Sequence, residues 1–198
     1  MKILPVLVPN LIVVAGPNGA GKTTAASNLL VGALSVQEFV NADTIAKGIS
    51  AFRPESVALQ AGRVMLDRLR RLTAERVDVA FETTLASRSF APWIKTLIEG
   101  GYTFRIVFFW LPSADMAVER VQERVAEGGH AVPEPVIRRR YEAGLHNFFR
   151  IYYPLAATWR FYDNSSGVSP RLIASGSLDQ APMIADPELW DNIERLWK

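Results

Sequence analysis

The sequence contains no cysteine in its 198 residues, which excludes a disulfide framework, a thiol nucleophile and any cysteine-held zinc or iron-sulfur site. Histidine is almost as scarce. His130 and His146 are the only two, too few for a multi-histidine metal centre unless carboxylates complete it. An excess of charge of either sign is missing as well: 22 basic against 20 acidic residues leave a formal charge of +2. Bulk electrostatics therefore does not argue for a nucleic-acid partner, and no basic tract is interleaved with aromatics on which bases would stack. No run reaches the roughly 18 to 20 uninterrupted apolar residues that a membrane helix needs. The apolar stretch 1–15 is broken by Pro5 and Pro9 and has Lys2 as its only positive charge, unlike a signal peptide. The expectation is a cytoplasmic protein that does not engage a membrane. What is present, 49% hydrophobic and 21% charged residues without repeats or composition breaks, suits one globular domain spanning 1–198.

Short apolar, β-branched or aromatic runs alternate with segments of helical period, the pattern of an α/β fold with a parallel sheet wrapped by helices. The patterns predict strands over 11–15, 38–41, 77–81, 102–111 and 159–162, with a last one over 171–175. Helices are expected over 22–34, 54–75, 90–99, 113–127 and 134–153, and a closing one over 186–197. In the helix over 113–127, Ala114, Ala117, Val118, Val121 and Val125 form one apolar stripe, with Ser113 placed to cap it. Gly128, Gly129, Pro133 and Pro135 punctuate the segment between two charged helices and surround His130, so this turn reads as a mobile flap within a lid of approximately 120–141.

The strongest motif is Gly16, Pro17, Asn18, Gly19, Ala20, Gly21, Lys22 and Thr23, followed by Thr24. Its fixed positions complete a Walker A loop, which chance produces in a chain this long on the order of once in a hundred. Glycines let successive backbone N–H groups turn inward toward phosphate oxygens, Lys22 reaches the β- and γ-phosphates, and Thr23 offers its hydroxyl to Mg²⁺. The context agrees, because a buried-type strand precedes the loop and a helix follows it.

Ligands of open parallel sheets sit beyond the carboxyl ends of the strands, and three acids fall there. Asp43 and Glu82 can divide the tasks of orienting an acceptor hydroxyl and holding the metal. Each also has a purely structural reading: Asp43 as the cap of a helix beginning at Thr44, Glu82 as a surface acid or ion-pair partner. Asp163 reads as a turn former. Arg120 and Arg124 precede the flap, and Arg138, Arg139 and Arg140 follow it, so closure brings guanidinium groups above the phosphate loop. Glu123 and Glu127, three residues beyond Arg120 and Arg124, offer those two arginines an alternative as solvated ion pairs. His130 and His146 read as polar packing or substrate contacts rather than metal ligands.

With these residues in view the chain resembles the zeta toxin family of P-loop kinases, in its compact form. The resemblance runs from Leu11 to about Ser165. It rests on Gly16 to Thr23; on Phe39, Val40, Asn41, Ala42 and Asp43 with Ile45, Ala46, Lys47 and Gly48; on Phe81, Glu82, Thr83, Thr84, Leu85 and Ala86; on Arg124 and Val125 leading to Gly128, Gly129, His130 and Pro133; on Arg139, Arg140 and Tyr141; and on Asp163, Asn164 and Ser165. It implies a three-layer P-loop kinase fold with a five-stranded, mainly parallel sheet and a helical lid. It also implies phosphoryl transfer from ATP or GTP, with Mg²⁺, to a small hydroxylated substrate, in the toxin members UDP-N-acetylglucosamine; the alternatives are a P-loop kinase of another acceptor, an antibiotic or a nucleic-acid 5′ hydroxyl, and a nucleotide-binding switch module without kinase activity. Lys22 and Thr23 then match the phosphate and metal contacts, Asp43 the catalytic base, and Glu82 and Thr83 the substrate-side motif, with Glu82 a second candidate metal ligand. Arg124 and the Arg139–Arg140 pair match the lid arginines, and Arg120 and His130 are expected substrate contacts. A separately encoded antitoxin is the protein partner the resemblance suggests.

Overall fold

The computed structural model describes residues 8–28, 36–166 and 169–198. Residues 1–7, residues 29–34 of the helix expected over 22–34, and residues 167 and 168 of the turn after Asp163 lie outside the described residues.

Leu11, Ile12, Val13, Val14 and Ala15 fill β1 (Asn10–Ala15) and are all buried. Such a run suits a central parallel strand, covered on both faces. β1 pairs in parallel with β3 (Val79–Thr83) on one side and β4 (Thr103–Trp110) on the other. Beyond β3 lies β2 (Glu38–Val40), and beyond β4 lies β5 (Thr158–Asp163), both parallel as well. The five-stranded parallel core is thus as expected. Two antiparallel strands, β6 (Arg171–Ser177) and β7 (Gln180–Ile184), extend it to seven in the order β2-β3-β1-β4-β5-β6-β7. The β7 strand is unannounced in the sequence because Pro182 interrupts it and most of it is exposed; an edge position tolerates both.

The helices are α1 (Lys22–Asn28), α2 (Ala42–Ile49), α3 (Ala58–Ala74), α4 (Phe90–Glu99), α5 (Ala114–Ala126), α6 (Glu134–Asn147) and α7 (Pro187–Trp197). Ser113 caps α5 by accepting from the N–H of Met116 at 3.1 Å. Ala117, Val118 and Val121 of its stripe are buried, whereas Val125 is exposed. Three expectations shift. The segment 54–75 opens with a 3-10 turn, Pro54–Val57, before α3. The helix expected to run to 153 ends at Asn147 and continues as a π-turn, Phe148–Tyr152, and a 3-10 turn, Tyr153–Leu155. Finally, β3 begins two residues late, because Asp78 at its start accepts from Asn10 N at 2.6 Å and Asn10 Nδ2 at 3.2 Å. Glu82 therefore lies within the strand, beside Val14 of β1, rather than after it.

An aromatic cluster welds the β4–β5 side. Phe108 stacks on Phe161 with centroids 5.0 Å apart, Phe148 packs on both, and Trp190 of α7 stacks on Trp159 at 5.3 Å. Such pairs contribute about 0.5–1.5 kcal/mol each beyond burial of their area. α6 runs directly into the turn that bears Phe148 and Phe149 of this cluster, and α5 packs on α6. No helix among the described residues is long and apolar enough to cross a membrane.

Candidate active site

The loop between β1 and α1 turns at Gly16, whose φ is +142° and where a Cβ would run into the carbonyl oxygen of Phe109 on β4. Only glycine meets both demands. Lys22 folds back over the loop: Nζ donates to Pro17 O at 2.8 Å and lies 3.6 Å from Glu82 Oε1, with 7% of the side chain exposed. Burial holds its ammonium below the ordinary value, and the carboxylates of Glu82 and Asp43 pull the other way.

Glu82 is the hub of this side. Its Oε2 accepts from Thr23 Oγ1 and from Asn41 Nδ2, each at 2.8 Å, and its side chain is 11% exposed. The surface-acid reading is thereby overturned. A hydroxyl and a carboxylate side by side are hard oxygen donors, and the pair suits Mg²⁺, which takes one or two protein oxygens and completes its shell with phosphate oxygens and water. The loop is braced from α5. Arg120 donates to Asn164 O and Ser165 O, both at 2.7 Å, while Asn164 Nδ2 donates to Ala20 O at 2.8 Å. Arg120, expected to touch substrate, lines the phosphate-side cavity with its guanidinium already engaged in this brace. Asp163 keeps to turn formation, accepting from Ser165 N at 2.8 Å and pairing with Arg171 at 3.2 Å.

Asp43 lies in the first turn of α2, a helix capped by its neighbour. Asn41 Oδ1 accepts from the N–H groups of Asp43 at 2.7 Å and Thr44 at 3.2 Å. That overturns the reading of Asp43 as the cap and leaves its carboxylate, 54% exposed, open to a ligand. Opposite it stands His130, with Nε2 3.9 Å from Asp43 Oδ2 and the side chain 14% exposed. Burial keeps this imidazole below its ordinary value, against the pull of Asp43. The backbone oxygen of His130 accepts from Arg124 Nη2 at 3.0 Å, so the turn after α5 links the two side chains. Among the described residues no ion pair joins Arg120 or Arg124 to Glu123 or Glu127.

The three contiguous arginines of α6 separate by about 100° per residue. Arg138 pairs with Asp115 at 2.6 Å and Glu134 at 2.8 Å, and Arg139 is exposed to solvent. Only Arg140 of the three enters the cleft, so the expected Arg139–Arg140 pair narrows to one residue.

Two cavities meet here. One, of about 410 Å³, is lined by Gly19, Gly21, Thr23 and Thr24 of the loop together with Arg120 and Arg124. The other, of about 260 Å³, is lined by Asn41, Thr83, Thr84, Met65, Phe90 and Arg140. Asn18, Lys22, Asp43 and Glu82 belong to both. Asn18 is buried, and among the described residues its Oδ1 has no hydrogen-bond partner.

Sequence reasoning missed what holds the second cavity. Thr83 Oγ1 accepts from Leu85 N at 3.1 Å, shaping the turn rather than simply facing a substrate. Asn147 Nδ2 donates to Leu85 O at 2.7 Å, Tyr152 Oη donates to Ser87 O at 2.6 Å, and Gly144 lets α6 pack on the Thr84 carbonyl. A glycine inside a helical pattern was the available signal, since it costs about 1 kcal/mol against alanine unless packing requires it.

A mainly parallel sheet with a phosphate loop after the central strand of its parallel core and helices on both faces defines an α/β P-loop NTPase-like fold. The chain belongs to the AAA domain family, AAA_33, whose model matches residues 11–148. A protein of Haemophilus influenzae, itself uncharacterized, is 27% identical over 140 residues, covering 71% of this chain and 98% of that one. Among solved structures, a chain of the AvrRxo1-ORF1:-ORF2 complex with ATP is similar with a TM-score of 0.69 at 16% identity. That match covers 94% of this chain, which spans 63% of the AvrRxo1 chain. A chain of the PezAT chromosomal toxin-antitoxin system of Streptococcus pneumoniae matches with a TM-score of 0.63 at 13% identity, covering 93% of this chain and 78% of that one.

Proposed function

We propose that this protein is a P-loop kinase that transfers the γ-phosphoryl group of ATP or GTP to a hydroxyl of a small acceptor, with nucleotide sugars such as UDP-N-acetylglucosamine the first candidates. The observation that carries this reading is the pair of adjoining cavities that share Asn18, Lys22, Asp43 and Glu82. A hydrolytic switch needs one nucleotide pocket; a group transferase needs a second one beside the γ-phosphate. The zeta toxin resemblance supports the nucleotide-sugar acceptor. The partner-bound state of the AvrRxo1 and PezAT chains supports a separate antitoxin-like partner.

In this reading the donor phosphates lie along the loop 16–24, where Lys22 and Arg124 hold the γ-phosphoryl oxygens. Thr23 and Glu82 would hold Mg²⁺, which when bound offsets the charge of the phosphate oxygens. Asp43 orients the acceptor hydroxyl and accepts its proton as the new P–O bond forms. The bond from Pγ to the β–γ bridging oxygen breaks, and the electron pair leaves with the nucleoside diphosphate. Glu82 serves less well as the base, because three donors already engage it.

Transfer of labelled γ-phosphate across a panel of sugars and nucleotide sugars tests this. Asp43→Asn keeps the side chain's size while removing the proton acceptor. Melting temperature and nucleotide affinity should hold while turnover falls by roughly 10² to 10⁴. Undiminished transfer by this variant, or hydrolysis that no acceptor accelerates, refutes the assignment.

A further inference from the structure

On α6, Arg140, Gly144 and Asn147 share one face at spacings of four and three. Gly144 rests on the Thr84 carbonyl and Asn147 donates to Leu85 O, so this face is pressed against the loop after β3. The same contacts fix where Arg140 points, into the smaller cavity beside Asp43. Arg120 and Arg124, in contrast, line the cavity of the phosphate loop. Arg140 is half-buried, yet among the described residues neither a hydrogen bond nor an ion pair engages it. Burial and the neighbouring Arg139 both oppose its charge, and Asp43 alone supports it.

A guanidinium stays ionised, and its planar donors match the paired oxygens of a carboxylate or phosphate. Partly desolvated and unpaired, it leaves donors that a ligand oxygen can satisfy. Met65, Leu66 and Phe90 give the same cavity apolar lining. The cavity thus offers a cation, a carboxylate able to take a hydroxyl proton, and a hydrophobic face.

We propose that Arg140 is a specificity-determining residue that binds an anionic group of the acceptor itself, making the acceptor a hydroxylated small molecule that carries a carboxylate or phosphate. This rests on the kinase reading above and departs from a lid role for Arg140 on the transferring phosphoryl group. The volume of about 260 Å³ lies below the roughly 300–1,000 Å³ of drug-sized ligand pockets. It accommodates a sugar acid or sugar phosphate, and the nucleoside of a nucleotide sugar would extend outside it.

Calorimetry on the full chain tests the proposal, with the phosphate loop saturated by a non-hydrolysable ATP analogue and Mg²⁺ so that anions cannot enter there. The probes are N-acetylglucosamine 1-phosphate against N-acetylglucosamine, gluconate against glucose, and UDP-N-acetylglucosamine. The phosphate and carboxylate arms distinguish the two sources of negative charge. At least one anionic probe should bind about 10- to 100-fold tighter than its neutral counterpart. Arg140→Gln should erase that preference while neutral affinity stays within about threefold, and Arg140→Lys should keep part of it. The proposal is overturned if wild type shows no preference for any anionic probe, or if the preference survives in Arg140→Gln. With a working acceptor, Arg140→Gln should raise KM more than it lowers kcat. A kcat loss common to charged and neutral acceptors returns Arg140 to the phosphoryl group and also overturns it. If the anion preference is found but no acceptor accelerates ADP release, the kinase reading fails and the anion site stands.

Discussion

The two cavities differ in how their walls are held. On the phosphate side three charged groups are tied into a network: Lys22 has Pro17 O and Glu82, Glu82 has Thr23 and Asn41, and Arg120 has the 164–165 loop. On the other side Arg140 has, among the described residues, no hydrogen bond or ion pair, and Asp43, which both cavities share, is half exposed with His130 3.9 Å away. A prebuilt network suits a ligand whose chemistry never changes, such as a nucleotide triphosphate, because preorganised donors need no rearrangement as charge develops. An unpaired cation and carboxylate suit a wall that the acceptor completes. In the kinase reading the difference suits a fixed donor side and a side whose wall is completed by the acceptor, with Asp43 shared between them.

Breaking the phosphate side should have the largest effect. Lys22→Ala removes the ammonium that the kinase reading places on the transferring group, and turnover should fall by roughly 10² to 10³. Stability should change little, because Glu82 keeps Thr23 and Asn41 as donors while a desolvated ammonium is removed. Rapid-quench transfer assays and melting curves on one preparation check both halves. A variant that transfers phosphate at the wild-type rate would remove the phosphate side from the mechanism.

The same difference governs how legible each cavity is in the sequence. The phosphate loop is local: eight consecutive residues carry the conformation and the chemistry together, and β1 before it is a plain apolar run. The parallel core follows from the same kind of local pattern. The second cavity is assembled from residues far apart in the chain, Asn41, Met65, Thr84, Phe90 and Arg140, and its supports act through backbone carbonyls that have no sequence signature. Asn147 reads as a polar residue in a helix until its amide meets Leu85 O. Among Arg138, Arg139 and Arg140 the sequence offers no choice, because the choice depends on where Gly144 docks.

Disturbing that docking should give an intermediate effect, of opposite sign to its control. Gly144→Ala gains about 1 kcal/mol of helix propensity, but the new methyl meets the Thr84 carbonyl, a backbone atom that cannot swing aside. Overpacking of this kind costs about 1–3 kcal/mol, so a net loss of about 1 kcal/mol is expected, with KM for the acceptor rising more than KM for the nucleotide. Gly48→Ala sits within α2, where nothing lies within 4 Å of the added carbon, and should stabilise by about 0.5–1 kcal/mol. Chemical denaturation of both variants measures the signs. If Gly144→Ala also stabilised the protein, α6 would not be seated on the β3–α4 loop.

The smallest effect concerns His130, where the two sides touch. Burial, assisted by Arg124 and Lys47, depresses its folded value below the ordinary 6.5, while Asp43 and Glu55 pull it upward. The unfolded chain therefore binds a proton near pH 6.5 before the folded protein does. Across the interval between the two values unfolding takes up protons, so stability falls as pH is lowered from about 6.5 and levels off below the folded value. His130→Gln should flatten that part of the melting-temperature profile and leave the neutral range unchanged. A nuclear magnetic resonance titration of the ring C–H signal reads the same balance directly. Its midpoint should lie below 6.5 in wild type and move lower in Asp43→Asn, because that substitution deletes the nearest opposing charge and leaves the desolvation in place. A midpoint at or above 6.5, or one indifferent to Asp43→Asn, would mean that His130 does not face the proposed base in solution, and the link through the 128–130 turn from Arg124 to Asp43 would fall with it.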